Sequence, residues 1–275
     1  SMQSLIKTVN EKMENYYLYE VIPPLMNFVD ELTNWYVRSN RKRFWKEKDE
    51  NDIDKINAFK TLHEVLLEFS KSMAPVLPFI CEKIYQGLIE EDNQSIHYCD
   101  YPIAEENLID KDLENNIELA KKVIKSVRNL RVKLKLPNKQ PLNSVKIITK
   151  DKKIEEKLNV ISDLIKNEVN VKEVLFDFDV DNWINYEFKP NFKILGPKLG
   201  KEINVLTKYL KNVDENISND ILQGNGVIID GIKVSSGEID IILNKKEDKE
   251  NQDIVDDFSL YLDTSLDENL IMERF

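Results

Sequence analysis

The sequence predicts a mainly α protein, with a helical bundle over residues 3–136 followed by a mixed α+β domain over residues 137–275. Before Pro137, apolar residues recur at steps of three and four in each long segment, which is the spacing of amphipathic helices. After Pro137, short runs rich in Val and Ile alternate with short helical segments and Gly-containing turns, which is typical of an α+β domain. The boundary is placed at Pro137 because proline ends a helix.

Helices of the first domain are each bounded by a proline or by a polar segment. They are expected at residues 3–17, 23–43, 53–73, 79–88 and 110–134. Trp35 lies on the apolar stripe of the second helix, which places its ring in the core and not at a ligand site. The core stripe expected in the fifth helix is Leu113, Ile117, Ala120, Ile124, Val127 and Leu134.

The second domain is expected to alternate short strands with short helices. Strands are predicted at residues 145–149, 171–176, 183–188 and 258–262, and helices at residues 154–167, 197–210 and 215–223. The first two strands and the helix between them would form a βαβ unit. Residues 225–243 are typical of a meander, and the acidic residues 245–257 of a solvated loop.

Composition excludes several classes of protein. The 275 residues are 41% hydrophobic and 32% charged, as in globular domains, and no apolar run approaches the roughly 20 residues of a membrane span. The start of the chain does not resemble a signal peptide, so we expect a cytoplasmic protein without a membrane partner. Cys81 and Cys99 are too few for a metal cluster and are expected to be reduced thiols.

A cationic and aromatic cluster lies at residues 34–48, NWYVRSNRKRFWKEK, in a chain of net charge −11. Six basic residues accompany one acid, Glu47, and Tyr36, Phe44 and Trp45 lie among them. Basic side chains neutralise phosphates, while aromatic rings and guanidinium planes stack on unpaired bases. The cluster therefore indicates either an RNA-binding site or the solvated cationic end of an amphipathic helix.

A basic stripe lies beside the predicted core stripe of the fifth helix. From Leu119 to Lys150 there are ten Lys or Arg residues and no Asp or Glu. This composition argues against a purely solvated face, because such a face normally mixes both signs of charge. The stripe consists of Lys121, Lys125, Arg128, Arg131 and Lys135.

The stretch NWYVRSNRKRFW resembles the anticodon-binding domain of the isoleucine–tRNA ligases, which are class I aminoacyl-tRNA synthetases. Five later stretches resemble the same family, in the same order along the chain. They are TLHEVLLEFSKSMAPVLPFICEKIYQGL (61–88), SIHYCDYP (95–102), VRNLRVKLKLPNKQPLNSVKI (127–147), KPNFKILGPKLGKEI (189–203) and LYLDTSLDENL (260–270). The valine and leucine enzymes share the helical part, whereas residues 191–201 resemble the isoleucine enzymes most, in their cytosolic eukaryotic and archaeal branch.

The resemblance implies a class I anticodon-binding helical bundle that holds tRNA. The residues expected at the anticodon loop are Arg38, Arg41, Lys42, Arg43 and Trp45. Of these, Arg38, Arg41 and Trp45 are spaced i, i+3 and i+7, and they would share one face if the second helix continued that far. The basic stripe from Lys121 to Lys135 would follow the phosphates of the anticodon stem.

No residue of the chain is assigned a catalytic or metal-binding role. The HIGH-type and KMSKS-type motifs with which class I synthetases activate an amino acid are missing, and so is a Gly-rich phosphate loop. ATP and Mg²⁺ are therefore expected in a catalytic domain of the parent enzyme outside this chain, and the chain alone is expected to be inactive.

The expected partners are tRNA, that catalytic domain and other subunits of a synthetase assembly. Two alternatives stay open: a helical protein-interaction module of a multi-subunit assembly, and the equivalent domain of a valine or leucine enzyme.

Overall fold

A computed structural model describes residues 1–45, 52–89, 94–222, 224–229, 231–246, 250–255 and 258–273. The chain divides into two compact units, Ser1–Asn115 and Asn116–Phe275. The prediction of a helical bundle followed by an α+β part is confirmed. Of the helices in the described ranges, none is long and apolar enough to cross a membrane.

The helices of the first unit begin where the sequence supplies caps or prolines. Ser1 Oγ accepts from Ser4 N at 3.3 Å, Asp52 Oδ1 accepts from Lys55 N at 3.1 Å, and Pro78 occupies a first turn that lacks amide partners anyway. The helices are α1 (Met2–Glu14), α2 (Ile22–Glu31), α3 (Arg41–Phe44), α4 (Ile53–Met73), α5 (Pro78–Leu88) and α6 (Lys111–Lys133), which continues into the second unit.

The core of the first unit is formed by the apolar faces of α1, α2, α4 and α5. Ile6, Leu25 and Met73 are buried there, and the rings of Phe28 and Phe69 stack with their centroids 5.5 Å apart. Burial of one such aliphatic side chain stabilises the fold by about 1.5–3 kcal/mol. Each of these four helices therefore contributes residues to one shared core.

The continuous helix predicted over residues 23–43 is interrupted. Leu32–Val37 form a π-helical segment after α2, and the chain turns at Asn40 before α3 begins. The Asn40 side chain holds this turn, because its Nδ2 donates to Tyr36 O at 2.8 Å and its Oδ1 accepts from Arg43 Nη1 at 2.7 Å. Apolar periodicity continues through the segment, so periodicity alone does not reveal the break.

The long helix α6 crosses the division between the two units, whereas the sequence predicts the whole helix in the bundle. Its buried side chains begin at Ala120, and Leu113, predicted to be core, is 48% exposed. The later turns belong to the second unit and are bonded to its other elements, since Ser126 Oγ donates to Asp253 Oδ2 at 2.6 Å. These contacts explain why the compact units divide inside the helix and not after residue 136.

The second unit follows α6 with alternating strands and helices. They are β1 (Leu142–Ile148), α7 (Lys152–Asn159), α8 (Ser162–Val169), β2 (Val171–Asp177), β3 (Ile184–Pro190), α9 (Phe192–Leu199), α10 (Ile203–Leu210), α11 (Glu215–Leu222), β4 (Val227–Ile229), β5 (Ile232–Val234), β6 (Ile239–Lys245), β7 (Gln252–Val255), β8 (Phe258–Leu262) and α12 (Glu268–Met272).

Four of these strands form a mixed sheet in the order β2-β1-β8-β7. The predicted βαβ unit is confirmed, because β1 and β2 are parallel, although two helices, α7 and α8, connect them. The loop predicted for residues 245–257 is wrong where it includes β7, whose Gln252 is buried and donates to Ser259 Oγ at 2.6 Å. Residues 247–249 and 256–257 of that prediction lie outside the described residues.

The remaining strands form two separate pairs, β3 with β6 and β4 with β5. The meander predicted for residues 225–243 is therefore wrong, because β6 pairs with the distant β3 and not with β5. Helix α9 begins before the predicted residue 197, since Asn191 Oδ1 caps it by accepting from Lys193 N at 3.1 Å. A core that includes Leu206 and Ile221 holds these elements together.

Candidate nucleic-acid interface

An arginine–tryptophan pair projects from α3. The guanidinium carbon of Arg41 lies 5.1 Å from the centroid of the Trp45 ring, a distance typical of a cation–π contact. Trp45 is 68% exposed and Arg41 is exposed as well, so this tryptophan is not a core residue. The pair presents planar groups to solvent, which stacking on an unpaired base requires.

Aromatic packing fixes the short helix that carries this pair. The ring of Phe44 contacts Tyr36 with centroids 6.4 Å apart and Phe59 of α4 with centroids 5.1 Å apart, both edge-on. A helix of four residues has little stability of its own, so these tertiary contacts hold it in place. The aromatic residues of the cluster therefore have separate roles, with Phe44 turned inward and Trp45 turned outward.

Arg43 braces α3 against α4. Its Nε and Nη2 donate to the two carboxylate oxygens of Asp54 at 2.9 and 2.7 Å, and its Nη1 donates to Asn40 Oδ1. The hydrogen bonds to Asp54 raise the pKa of Arg43 above its ordinary value. Arg43 is predicted from the sequence to bind RNA, but its guanidinium is occupied by Asp54 and Asn40, so we assign it a bracing role.

Arg38 and Lys42 supply the exposed positive charge near the pair. Both side chains are exposed, and in the described part of the chain neither has a carboxylate within ion-pair distance. The condition for a face shared by Arg38, Arg41 and Trp45 is not met, because the turn at Asn40 separates Arg38 from α3. Two further basic residues of this cluster, at positions 46 and 48, lie outside the described residues.

The basic stripe predicted along α6 is less uniform in the structure than in the sequence. Lys121 pairs with Glu118 at 2.7 Å, and Arg128 pairs with Glu168 of α8 at 2.5 Å. Lys125 is exposed and has no carboxylate within ion-pair distance among the described residues. Of the four residues of the stripe that lie in α6, Lys125 is thus the exposed one, and its contact with phosphate stays a prediction.

Arg131 does not face solvent, so its predicted contact with phosphate is wrong. The residue is 1% exposed, and its Nη1 and Nη2 donate to four backbone carbonyls. These belong to Pro137 at 3.2 Å, Gln140 at 3.0 Å, Val169 at 2.7 Å and Asn170 at 3.0 Å. Burial lowers the pKa of the guanidinium to about 10, so it remains a cation at neutral pH. Its role is to join the end of α6 to α8 and to the loop before β1.

The end of α6 and the loop that follows it carry three exposed lysines, of which Lys135 belongs to the predicted basic stripe and Lys133 and Lys139 do not. Lys133 has a side chain that is 61% exposed, and Lys135 and Lys139 are both exposed. The sequence indicates the positive charge of this region, because all three lysines lie in the acid-free run from Leu119 to Lys150.

Neither cysteine is bonded to another residue as a disulfide, and burial raises the pKa of the Cys81 thiol. Over the described ranges, no group of three or more His, Cys, Asp or Glu side chains is arranged to hold a metal ion.

Comparison with known proteins identifies the helical part. The sequence model of the family described as the anticodon-binding domain of tRNA ligase matches residues 1–148. The chain belongs to this family of anticodon-binding domains. The match includes both the α3 cluster and the whole basic run of α6 with the loop that follows it.

Relatives in this family are similar to the chain along most of its length. An isoleucine–tRNA ligase of Treponema denticola is 37% identical over 99% of this chain and 25% of its own length. Isoleucine–tRNA ligases of Clostridium novyi and Clostridium tetani are 38% and 36% identical over 83% and 89% of the chain, and over 22% and 24% of their own lengths.

The chain thus spans about a quarter of the length of the relatives it matches, and the resemblance found in the sequence is confirmed. These three relatives are bacterial proteins, and the branch assigned from residues 191–201 stays a prediction.

Proposed function

We propose that this chain is the anticodon-recognising, tRNA-binding part of an isoleucine–tRNA ligase. The observation that carries the proposal is the exposed Arg41–Trp45 pair on a braced helix, in a chain that belongs to the anticodon-binding family. The relatives named above support isoleucine in preference to valine or leucine, because all three are isoleucine enzymes.

In this proposal, different side chains read the bases and hold the backbone. Anticodon bases are unpaired, so they can leave the stack and lie against Trp45 and the guanidinium plane of Arg41. Arginine also has a planar fork of donors that can bond the edge of a base. Arg38, Lys42, Lys125 and Lys135 contact phosphates, which position the RNA but carry no sequence information.

Aminoacylation itself belongs to the parent enzyme in this proposal. The chain positions tRNA, while a catalytic domain of the parent binds ATP, Mg²⁺ and isoleucine. We expect no isoleucine-dependent exchange between pyrophosphate and ATP from the purified chain, because the nucleotide-binding motifs of class I synthetases do not occur in it. Exchange that persists in a preparation free of other synthetases would show that the assignment of the chemistry is wrong.

Salt dependence of tRNA binding tests the proposal. We expect the chain to bind an isoleucine tRNA transcript at low salt despite its net charge of −11, because local cations displace counterions from phosphates. Four phosphate contacts predict a slope of log affinity against log salt of about −3 to −3.6, or roughly a hundredfold loss between about 50 and 200 mM salt. Fluorescence anisotropy of end-labelled tRNA measures this slope.

A chain that binds no tRNA at low salt, or whose affinity is independent of salt, would contradict the proposal and favour a protein-interaction module. A scrambled RNA hairpin of equal length is the matched control. We expect it to bind with a similar slope but more weakly, because it keeps the phosphates and lacks the anticodon.

A further inference from the structure

The loop that follows α6 contains a lysine in an unusual backbone conformation. Lys135 has φ of +56°, in the left-handed region that favours glycine. The backbone ends the helix here, because Leu136 N donates to Arg131 O at 2.8 Å and Lys135 N donates to Val132 O at 3.1 Å. Glycine or asparagine is usual at such a helix end, so a lysine here destabilises the fold relative to glycine.

Hydrogen bonds hold the rest of this loop rigidly. The buried Arg131 donates to the carbonyls of Pro137 and Gln140, and Gln140 N closes a turn onto Pro137 O at 3.0 Å. Asn170 Nδ2 donates to Asn138 O at 3.0 Å. The buried amide of Gln140 fixes the end of the loop by donating to Leu270 O at 3.0 Å. A loop held in this way loses little conformational freedom when it binds a partner.

The side chains of the loop present positive charge and no group that stacks. Lys135 and Lys139 are exposed, and within the described ranges neither ammonium group has a carboxylate at ion-pair distance. Lys133 is exposed too, although its ammonium lies 3.7 Å from Asp253. Residues 133–139, KLKLPNK, contain no aromatic residue and no arginine, so nothing in the loop resembles a base-reading surface.

We propose that residues 133–139 form a preorganised phosphate-binding loop that holds the sugar–phosphate backbone of RNA through Lys135 and Lys139. This inference rests on the proposed tRNA-binding function and deepens it. RNA is the partner because the loop lies inside the matched anticodon-binding region and in the stretch from Leu119 to Lys150, which contains ten basic residues and no acid. Contacts from ammonium groups alone are independent of base sequence.

Replacement of Lys135 by glycine tests the inference with two readouts that move in opposite directions. Lys135→Gly removes the charge and places at φ of +56° the residue that adopts it most easily, so the melting temperature should stay the same or rise. The affinity for tRNA should fall, and the slope of log affinity against log salt should shrink by about 0.7–0.9. The double variant Lys135→Gly/Lys139→Ala should shrink it by about 1.4–1.8, equally for tRNAs with matched and altered anticodons.

Lys157→Ala is the matched control, since Lys157 is an exposed lysine of α7 outside the acid-free run and its loss should leave the slope unchanged. If the double variant keeps the slope and affinity of the unaltered chain, the loop does not hold RNA, although the proposed function stands. If the unaltered chain binds no tRNA, the proposed function itself fails.

A polyglutamate competitor tests for the other class of partner, an acidic protein segment. If the double variant loses polyglutamate binding but keeps tRNA binding, the inference is overturned in favour of such a segment.

Discussion

Replacement of Arg131 by methionine is expected to lower the free energy of unfolding of the second unit by about 3 kcal/mol. Methionine fills a similar unbranched volume but donates no hydrogen bond. Of the four carbonyls that Arg131 serves, those of Pro137 and Asn170 also accept the backbone N–H groups of Gln140 and Leu142, at 3.0 and 3.1 Å. The loss therefore falls mainly on the carbonyls of Gln140 and Val169, at about 1–3 kcal/mol for each buried acceptor without a donor.

Hydrogen exchange of the β1 and β2 amides in the native state measures this loss in the unit that contains Arg131. The matched control is Arg128→Met, the same change in the same helix, where the side chain is 25% exposed and pairs with Glu168. We expect a smaller loss from the control, because the Arg128 side chain is partly exposed and bonds one residue, whereas Arg131 is buried and bonds four carbonyls. Equal losses from the two variants would contradict a special role for the carbonyl cluster. Arg131→Lys should recover only part of the stability, since one ammonium group cannot reach all four carbonyls.

The spacing of apolar residues along α6 indicates that position 131 is buried, although an arginine is normally exposed. Ala120, Ile124 and Val127 are buried along α6, and position 131 continues their spacing at a step of four. The residue type therefore favours solvent, whereas its position in the helix favours the core. The groups that make burial possible are backbone carbonyls of α8 and of the following loop, and their arrangement around Arg131 depends on tertiary structure.

The fold class was predictable because it depends on local periodicity, whereas strand pairing and helix continuity were not. The steps of three and four correctly predicted α1, α4 and α5, and short runs of apolar residues correctly predicted β1, β2 and β8. The pairing of β6 with β3 joins residues far apart in the chain, and no local pattern specifies it. The break at Asn40 depends on one side chain that bonds both to the preceding helix and to Arg43, which periodicity does not describe.

The site was predictable as a segment but not residue by residue, for a similar reason. Basic and aromatic residues within five positions of each other have different partners in the structure: Arg43 binds Asp54, Phe44 packs on Phe59, and Arg41 lies against Trp45. Composition detects that such a cluster exists. Only the positions of Asp54 and Phe59 on α4 decide which members face inward and which remain for a ligand.

Replacement of Arg41 or Trp45 by alanine is expected to remove discrimination between an isoleucine tRNA and the same tRNA with an altered anticodon. Each loss should be about 1–3 kcal/mol, which is roughly 5- to 150-fold in the ratio of the two affinities, because that is the contribution of one stacked or specifically bonded base. Trp45 is 68% exposed, so we expect Trp45→Ala to change the free energy of unfolding by less than about 0.5 kcal/mol. The ratio of affinities at fixed salt is the measurement.

Two further variants distinguish a loss of anticodon recognition from a loss of stability and from a loss of positive charge. Phe44→Ala should lower both the melting temperature and tRNA affinity, because it removes the contact with Phe59 that holds α3. Lys60→Ala removes an exposed positive charge of α4 outside the cluster and should leave the ratio unchanged. Arg41→Ala and Trp45→Ala should lower the ratio similarly, and the double variant should lose less than the sum, because the two groups contact each other and act on the same base. If both single variants are folded and keep the ratio, α3 only supports the structure and the anticodon is read by other residues.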